Sequence, residues 1–206
     1  MAAIVARKHD PEASRAAILD AAEGLFLERG FAATSMSEIA ERSGVTKSLI
    51  HHHFGSKEGL WAEIKRRRFG SYHAAQLALY ARGLTHETIK ASMHAYFHFL
   101  RANPQVHRMI TWMRLEGDRE CADLVVDLRT RAIAQIAAAQ QAGVLRPEMP
   151  PEFVLMIFLG LVNAWFDEGG FATGFDDGRV DHAEVYLEHA WKVFASSVLV
   201  DASRAG

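Results

Sequence analysis

The sequence predicts an all-α protein, and three observations carry that expectation. No stretch alternates apolar and polar residues with the period of two that a half-buried strand needs, while apolar spacings of three and four recur along the chain. Turn-forming residues punctuate those periodic segments at Gly83, Asn103-Pro104, Gly117, Gly143 through Pro151, and Gly169 to Gly178. Half of the 206 residues are apolar, enough for a sizeable core in one or two small domains.

The first helix is expected from about Ser14 to Arg29, with Ile18, Ala21, Ala22, Leu25 and Phe26 on one side and Gly30 as its stop. Ser35 opens the second as an N-cap, and Glu38 three residues on completes a capping box. Gly44 ends it where φ must turn positive, and Thr46 caps a third helix after Val45. That helix has an apolar side of Leu49, Ile50 and Phe54 and a polar side of Lys47, Ser48, His51 and His52. Two short helices joined by such a turn predict a helix-turn-helix whose second member offers a donor-rich surface to DNA. Ser56 caps a fourth helix from about Lys57 to Arg82, roughly 40 Å long at about 1.5 Å per residue. Further helices are expected near Thr85 to Ala102, Pro104 to Met113, Asp118 to Ala142, Pro151 to Glu168 and Asp181 to Val200.

Charge and composition narrow the classes. The formal net charge is −2, so a wholly basic nucleic-acid coat is excluded. Residues 1 to 70 nevertheless hold eleven Lys/Arg against nine Asp/Glu, and the remainder twelve against sixteen, so the basic excess sits with the helix-turn-helix. A single cysteine, Cys121, permits no internal disulfide and fits a reducing compartment. The apolar run at the N-terminus is too short for a signal peptide, which argues against export. The longest apolar run, Phe153 to Phe166, is shorter than the roughly 20 residues a bilayer requires and reads as a buried core helix. No nucleophile beside a base, Gly-rich phosphate loop or metal quartet is visible, so neither catalysis nor a cofactor is expected.

The strings ILDAAEGLFLERGF (18 to 31) and AATSMSEIAERSGVTKSLIHHHFGSKEGLW (32 to 61) resemble the tetracycline-repressor (TetR) family of bacterial transcription regulators. Gly30, Thr34, Ile39-Ala40, Gly44-Val45, His53-Phe54 and Lys57 form a specific set in that order, and beyond Trp61 only the helical pattern fits. The resemblance implies a DNA-binding domain over 1–60 and a helical effector-binding and dimerisation domain over 61–206. It implies a cytoplasmic homodimer, nucleoid-associated when bound, that holds a palindromic operator and is released by a small effector. Thr34 and Ser35 match positions that contact phosphate at a helix N-terminus. Thr46, Lys47 and Ser48 match the leading edge of the recognition helix, with His52 on the same polar side. His51 stands where the family usually has tyrosine, and His53 and Lys57 match its phosphate-side residues.

Blander readings stand beside these. His51, His52 and His53 point about 100° apart on a helix and cannot converge on one metal ion. His94 and His98, at i and i+4, could share one, but His86, Lys90 and Arg101 extend the same stripe and mark it as a solvated face. Cys121 falls in step with Val125, Leu128, Ala132 and Ile136, as a core residue would. Lys65 to Arg68 reads as solvation of the fourth helix before it reads as DNA backbone contact. In the C-terminal part, Met109, Trp112, Met113, Met156, Phe158, Trp165 and Phe166, with Phe97 and Phe99, form an aromatic and Met-rich set suited to an apolar or aromatic guest, and Phe97, Met109, Trp112, Met113, Met156 and Phe166 are its candidate effector contacts. Asn163 needs a polar partner inside the most apolar helix, either a ligand or a backbone carbonyl. Phe69, Tyr72 and Leu77 on the fourth helix are expected against that pocket. Leu187, Trp191, Phe194 and Val198 repeat at spacings of four, three and four, predicting a four-helix dimer interface with the helix from Pro151. A helical carrier or metal-dependent enzyme, with the N-terminal helices as scaffold, is the competing class.

Overall fold

Local chemistry starts each element of the computed structural model, which describes residues 10–117, 122–167 and 180–200. Among these residues the chain forms nine helices: α1 (Pro11–Arg29), α2 (Met36–Ser43), α3 (Lys47–Phe54), α4 (Lys57–Tyr80), α5 (His86–Ala102), α6 (Pro104–Leu115), α7 (Ala122–Gln141), α8 (Pro151–Asp167) and α9 (His182–Val198). α1 begins earlier than the sequence reading placed it. Asp10 accepts from Glu12 N (3.0 Å) and Ala13 N (3.4 Å), and Pro11 supplies the preset φ of a first helical position. Ser35 and Glu38 form the expected capping box, Thr46 caps α3 through Leu49 N, and Gly44 adopts φ 68° between them. Ser56 Oγ accepts from Gly59 N (3.0 Å) at the start of α4. α4 closes at Tyr80, so its rise is about 36 Å.

Contacts group the described residues into two units, 10–68 with 108–117, and 69–107 with 122–167 and 180–200. The sequence reading cut the chain once, after residue 60. Instead α4 and α6 each contribute one end to either unit. The first unit packs Ile18, Ala22, Phe26, Ile39, Ile50, Leu60 and Ile64, with Phe26 edge-on to Trp61 at 5.0 Å. The second packs α5, α7, α8 and α9 around Met93, Phe97, Leu100, Val154, Val162, Leu187 and Phe194. An isolated antiparallel bridge, Leu145 to Leu199, ties the loop before α8 to the end of α9.

Candidate nucleic-acid interface

The recognition surface starts from the burial of one face of α3. Ile50 is fully buried in the first unit, and this fixes the opposite face outward, leaving Lys47, Ser48, His51 and His52 exposed. Thr46 is exposed at the leading end, with its hydroxyl engaged as the cap. His51 Nδ1 lies 2.8 Å from Gly55 O. A carbonyl only accepts, so Nδ1 carries the hydrogen and a neutral His51 ring presents the lone pair of Nε2 outward. His53 turns partly inward, and its buried Nε2 has no hydrogen-bond partner.

The turn from α1 to α2 is fixed from both sides. The Lys57 ammonium donates to Phe31 O and Thr34 O, each at 2.9 Å, and sits 4.3 Å over the Phe31 ring. The Glu116 carboxylate accepts from Phe31 N (3.2 Å) and Ala32 N (3.0 Å), and the Trp112 indole donates to Leu27 O (3.2 Å). Gly30 sits inside this clamp at φ 85°, where an added Cβ would lie 2.4 Å from Glu116 Oε1 and 2.8 Å from the Trp112 ring. Thr34 is buried with its hydroxyl donating to Gly30 O (2.9 Å) and its N–H to Phe31 O (3.3 Å), so both its donors shape the turn and the phosphate contact expected of it is not what they serve. Ser35 is exposed at the α2 N-terminus, and its bonds hold the Glu38 carboxyl below the usual carboxylate range.

The basic run on α4 makes its pairs within the same unit: Arg66 and Arg67 stay exposed, as the expected solvation has it, while Lys65 is buried and Arg68 half-buried. Arg66 pairs with Glu63, Arg67 with Asp20 (2.8 Å) and Arg68 with the buried Glu23 (2.5 Å). Lys65 is buried beside the Trp61 ring, 5.4 Å from its centroid.

In the second unit, a cavity of about 40 Å³ lies among α4, α5, α7, α8 and α9. Phe158 of the expected aromatic set lines it, while none of the seven candidate effector contacts, Asn163 included, does. Phe97 and Met109 are fully buried, Phe97 against Phe166 at 5.1 Å, while Met156 is 66% exposed. Asn163 donates to Leu159 O (2.8 Å) and accepts from the Tyr96 hydroxyl (3.1 Å), so the backbone-carbonyl alternative holds. Met109, Trp112 and Met113 belong to the first unit. Phe69 and Tyr72 pack on Phe99 rather than on the cavity, Tyr72 stacked at 4.8 Å. The stripe on α5 faces acidic partners on and before α9: Lys90 with Glu188 (3.0 Å), and Arg101 with Asp181 (2.8 Å) and Glu184 (2.7 Å). It is an interhelix ladder on a face that stays solvated at His86, His98 and Arg101. Cys121 lies outside the described residues.

Residues 18–64 match the bacterial regulatory proteins of the tetR family, and residues 91–186 match a tetracyclin repressor-like C-terminal domain. The Escherichia coli transcriptional regulator RutR is 30% identical over 156 residues, covering 74% of each chain. The chain belongs to the TetR family of transcriptional regulators. The Streptomyces coelicolor transcriptional repressor SCO4008 is 24% identical, over 75% of this chain and 79% of its own. FasR, a transcriptional activator of Mycolicibacterium smegmatis, is 32% identical over 97 residues, and the match spans only 44% of its length. The crystal structure of SCO4942, a transcriptional regulator from S. coelicolor, shares the fold with a TM-score of 0.69 at 22% identity, over 90% of this chain and 98% of that one. As a TetR regulator the protein is a helix-turn-helix DNA-binding protein, which gives the outward residues of α3 their meaning. What sequence reasoning missed is the clamp of Glu116 and Trp112, since partners some 85 positions apart leave no local signal. No described helix is long and apolar enough to cross a membrane.

Proposed function

We propose that this regulator is an effector-released repressor that holds a palindromic operator as a homodimer in the bacterial cytoplasm. The observation that carries the reading is the division of α3: Ile50 anchors it, while Lys47, Ser48, His51 and His52 stand exposed, and a major groove admits an α-helix. Lys47, Ser48 and His51 read base edges, with Thr46 and His52 flanking them. The N–H groups of the first turn of α2 receive a phosphate beside Ser35, whose own N–H and hydroxyl donate to Glu38. His53 and Lys57 support the head behind that surface.

The dimer supplies the second half-site. On α8, Phe153, Met156, Gly160 and Ala164 are exposed at spacings of three, four and four; on α9, Val185, His189 and Val193 are exposed at spacings of four. Together they make an apolar face suited to a two-fold four-helix contact. Residues Leu187, Phe194 and Val198, expected at that interface, are buried in the unit's own core. Repression follows from a bulky dimer covering promoter DNA; the relative SCO4008 is a transcriptional repressor. Release follows if a ligand in the second unit shifts α4 and α6, the helices that continue into the head; a solved neighbour of this fold is a gamma-butyrolactone receptor. A ligand acts only through its differential affinity for the two states, and a typical coupling of about 1 to 3 kcal/mol loosens DNA roughly 5- to 150-fold.

Fluorescence anisotropy with promoter duplexes from the protein's own locus tests this. The expected result is sequence-dependent binding by a dimer, with affinity falling steeply between about 50 and 200 mM salt. Equal affinity for every duplex, or binding by a monomer, would contradict it.

A further inference from the structure

We infer that the cavity among α4, α5, α7, α8 and α9 is the effector site, and that it takes a neutral, largely hydrocarbon molecule carrying one hydroxyl. This rests on the effector-responsive reading above and adds the site and the ligand class to it. The wall is almost wholly apolar, with Ile136, Phe158 and Phe194 among its members, and no charged side chain lines it. A charged ligand would lose its hydration there without a counter-ion, which excludes carboxylates and amines.

Polarity enters at two points of the lining, Tyr80 and Ser92. Ser92 is buried, and its hydroxyl donates to Gln76 Oε1 at 2.6 Å, while Gln76 Nε2 donates back to Ser92 O at 3.3 Å. The serine hydrogen is therefore committed. What Ser92 Oγ has left is acceptor capacity, and the complement of an acceptor is a ligand O–H. Gln76, itself buried, is a positioning residue that keeps the serine oriented.

The size of the cavity gives the ligand its leverage. A volume of about 40 Å³ admits only a few heavy atoms, so a larger guest must move a wall. Most of the lining belongs to the fully packed core, including Val154, Leu145 and Phe194. Four lining residues are only half-buried: Leu155 and Phe158 on α8, and Tyr80 and Leu84, which flank the turn that closes α4, where Gly83 takes φ 77°. The walls open to movement are thus α8 and the end of α4, the helix that continues into the DNA-binding unit.

Three probes on one carbon skeleton test the inference on the full-length protein: 4-propylphenol, propylbenzene and 4-propylbenzoate, by calorimetric titration. Binding is expected to be tightest for the phenol, about 3- to 10-fold weaker for propylbenzene, and absent for the benzoate. Ser92→Ala should reduce the phenol to the affinity of the hydrocarbon. Ala132→Leu, or Ile136→Phe if the first disturbs the helix content, should fill the cavity and remove both. Equal binding of the benzoate, an unchanged phenol affinity in Ser92→Ala, survival of binding in a folded cavity-filled variant, or no binding of any probe would overturn the inference. Cavity binding that leaves operator affinity unchanged would instead contradict the effector-released reading and leave the ligand site standing.

Discussion

Lys57 is placed to hold a turn. Its ammonium spans two carbonyls and an aromatic face between α1 and α2, so the family position expected to contact phosphate acts first within the head. Lys57→Met is therefore expected to lower thermal stability of the head by about 1 to 3 kcal/mol and to weaken all operators alike, with the slope of log affinity on log salt changed by less than one unit. Ser48→Ala is expected to leave stability alone and redistribute preference among operators; uniform loss from both variants would refute the division of roles. Trp112→Ala, on the same logic, should damage the head and its DNA affinity rather than only the effector response, because its indole bonds Leu27 O. The caps at Ser35, Thr46 and Gly44 were legible because their partners lie within four residues. Asp10-Pro11 was equally legible as a cap followed by proline and was passed over. Glu116 was not legible, for its partners lie across the chain.

Among elements, the α5 ladder shows how spacing identifies a stripe without saying what covers it. His94 is mostly enclosed, its Nε2 lies 3.4 Å from Glu188 Oε1 without a hydrogen bond, and burial holds its pKa below the ordinary histidine value. Lys90, His98, Glu184 and Glu188 are the charged and titratable neighbours that act on it. Since the folded pKa is depressed, the unfolded chain binds the proton more readily, and stability present above about pH 6.5 is lost as pH falls through the folded value. His94→Gln should flatten the decline of melting temperature between about pH 7 and 5; an unchanged decline would show that His94 does not carry it. Asp181 and Glu188 act lower, since Arg101 and Lys90 hold their carboxyls below the usual range and their contribution fades only in stronger acid. The stripe of Leu187, Trp191, Phe194 and Val198 was misread for a similar reason. Period 3.6 marks a buried face whether it faces its own unit or a partner, and here the opposite face of α9 is the exposed apolar one.

For the whole molecule, the fold class, the helices among the described residues and the DNA-binding head were readable because amphipathic periodicity and capping are local. The grouping of 108–117 with the head, and the lining of the cavity, arise from tertiary packing that no window of sequence contains. Dimerisation is a property at this scale. A charge in the exposed face, Val193→Asp or Met156→Asp, is expected to shift the protein to monomer in sedimentation at micromolar concentration and to weaken operator binding at least tenfold by removing the second half-site; an intact dimer would place the contact elsewhere. The central claim is that paired α3 helices read a two-fold operator, and selection of bound sequences from a random duplex pool by the full-length protein tests it most directly. Enrichment of an inverted repeat, with half-site centres about one helical turn apart or slightly more, is the result expected; no enrichment, or a single unrepeated half-site, would contradict the account.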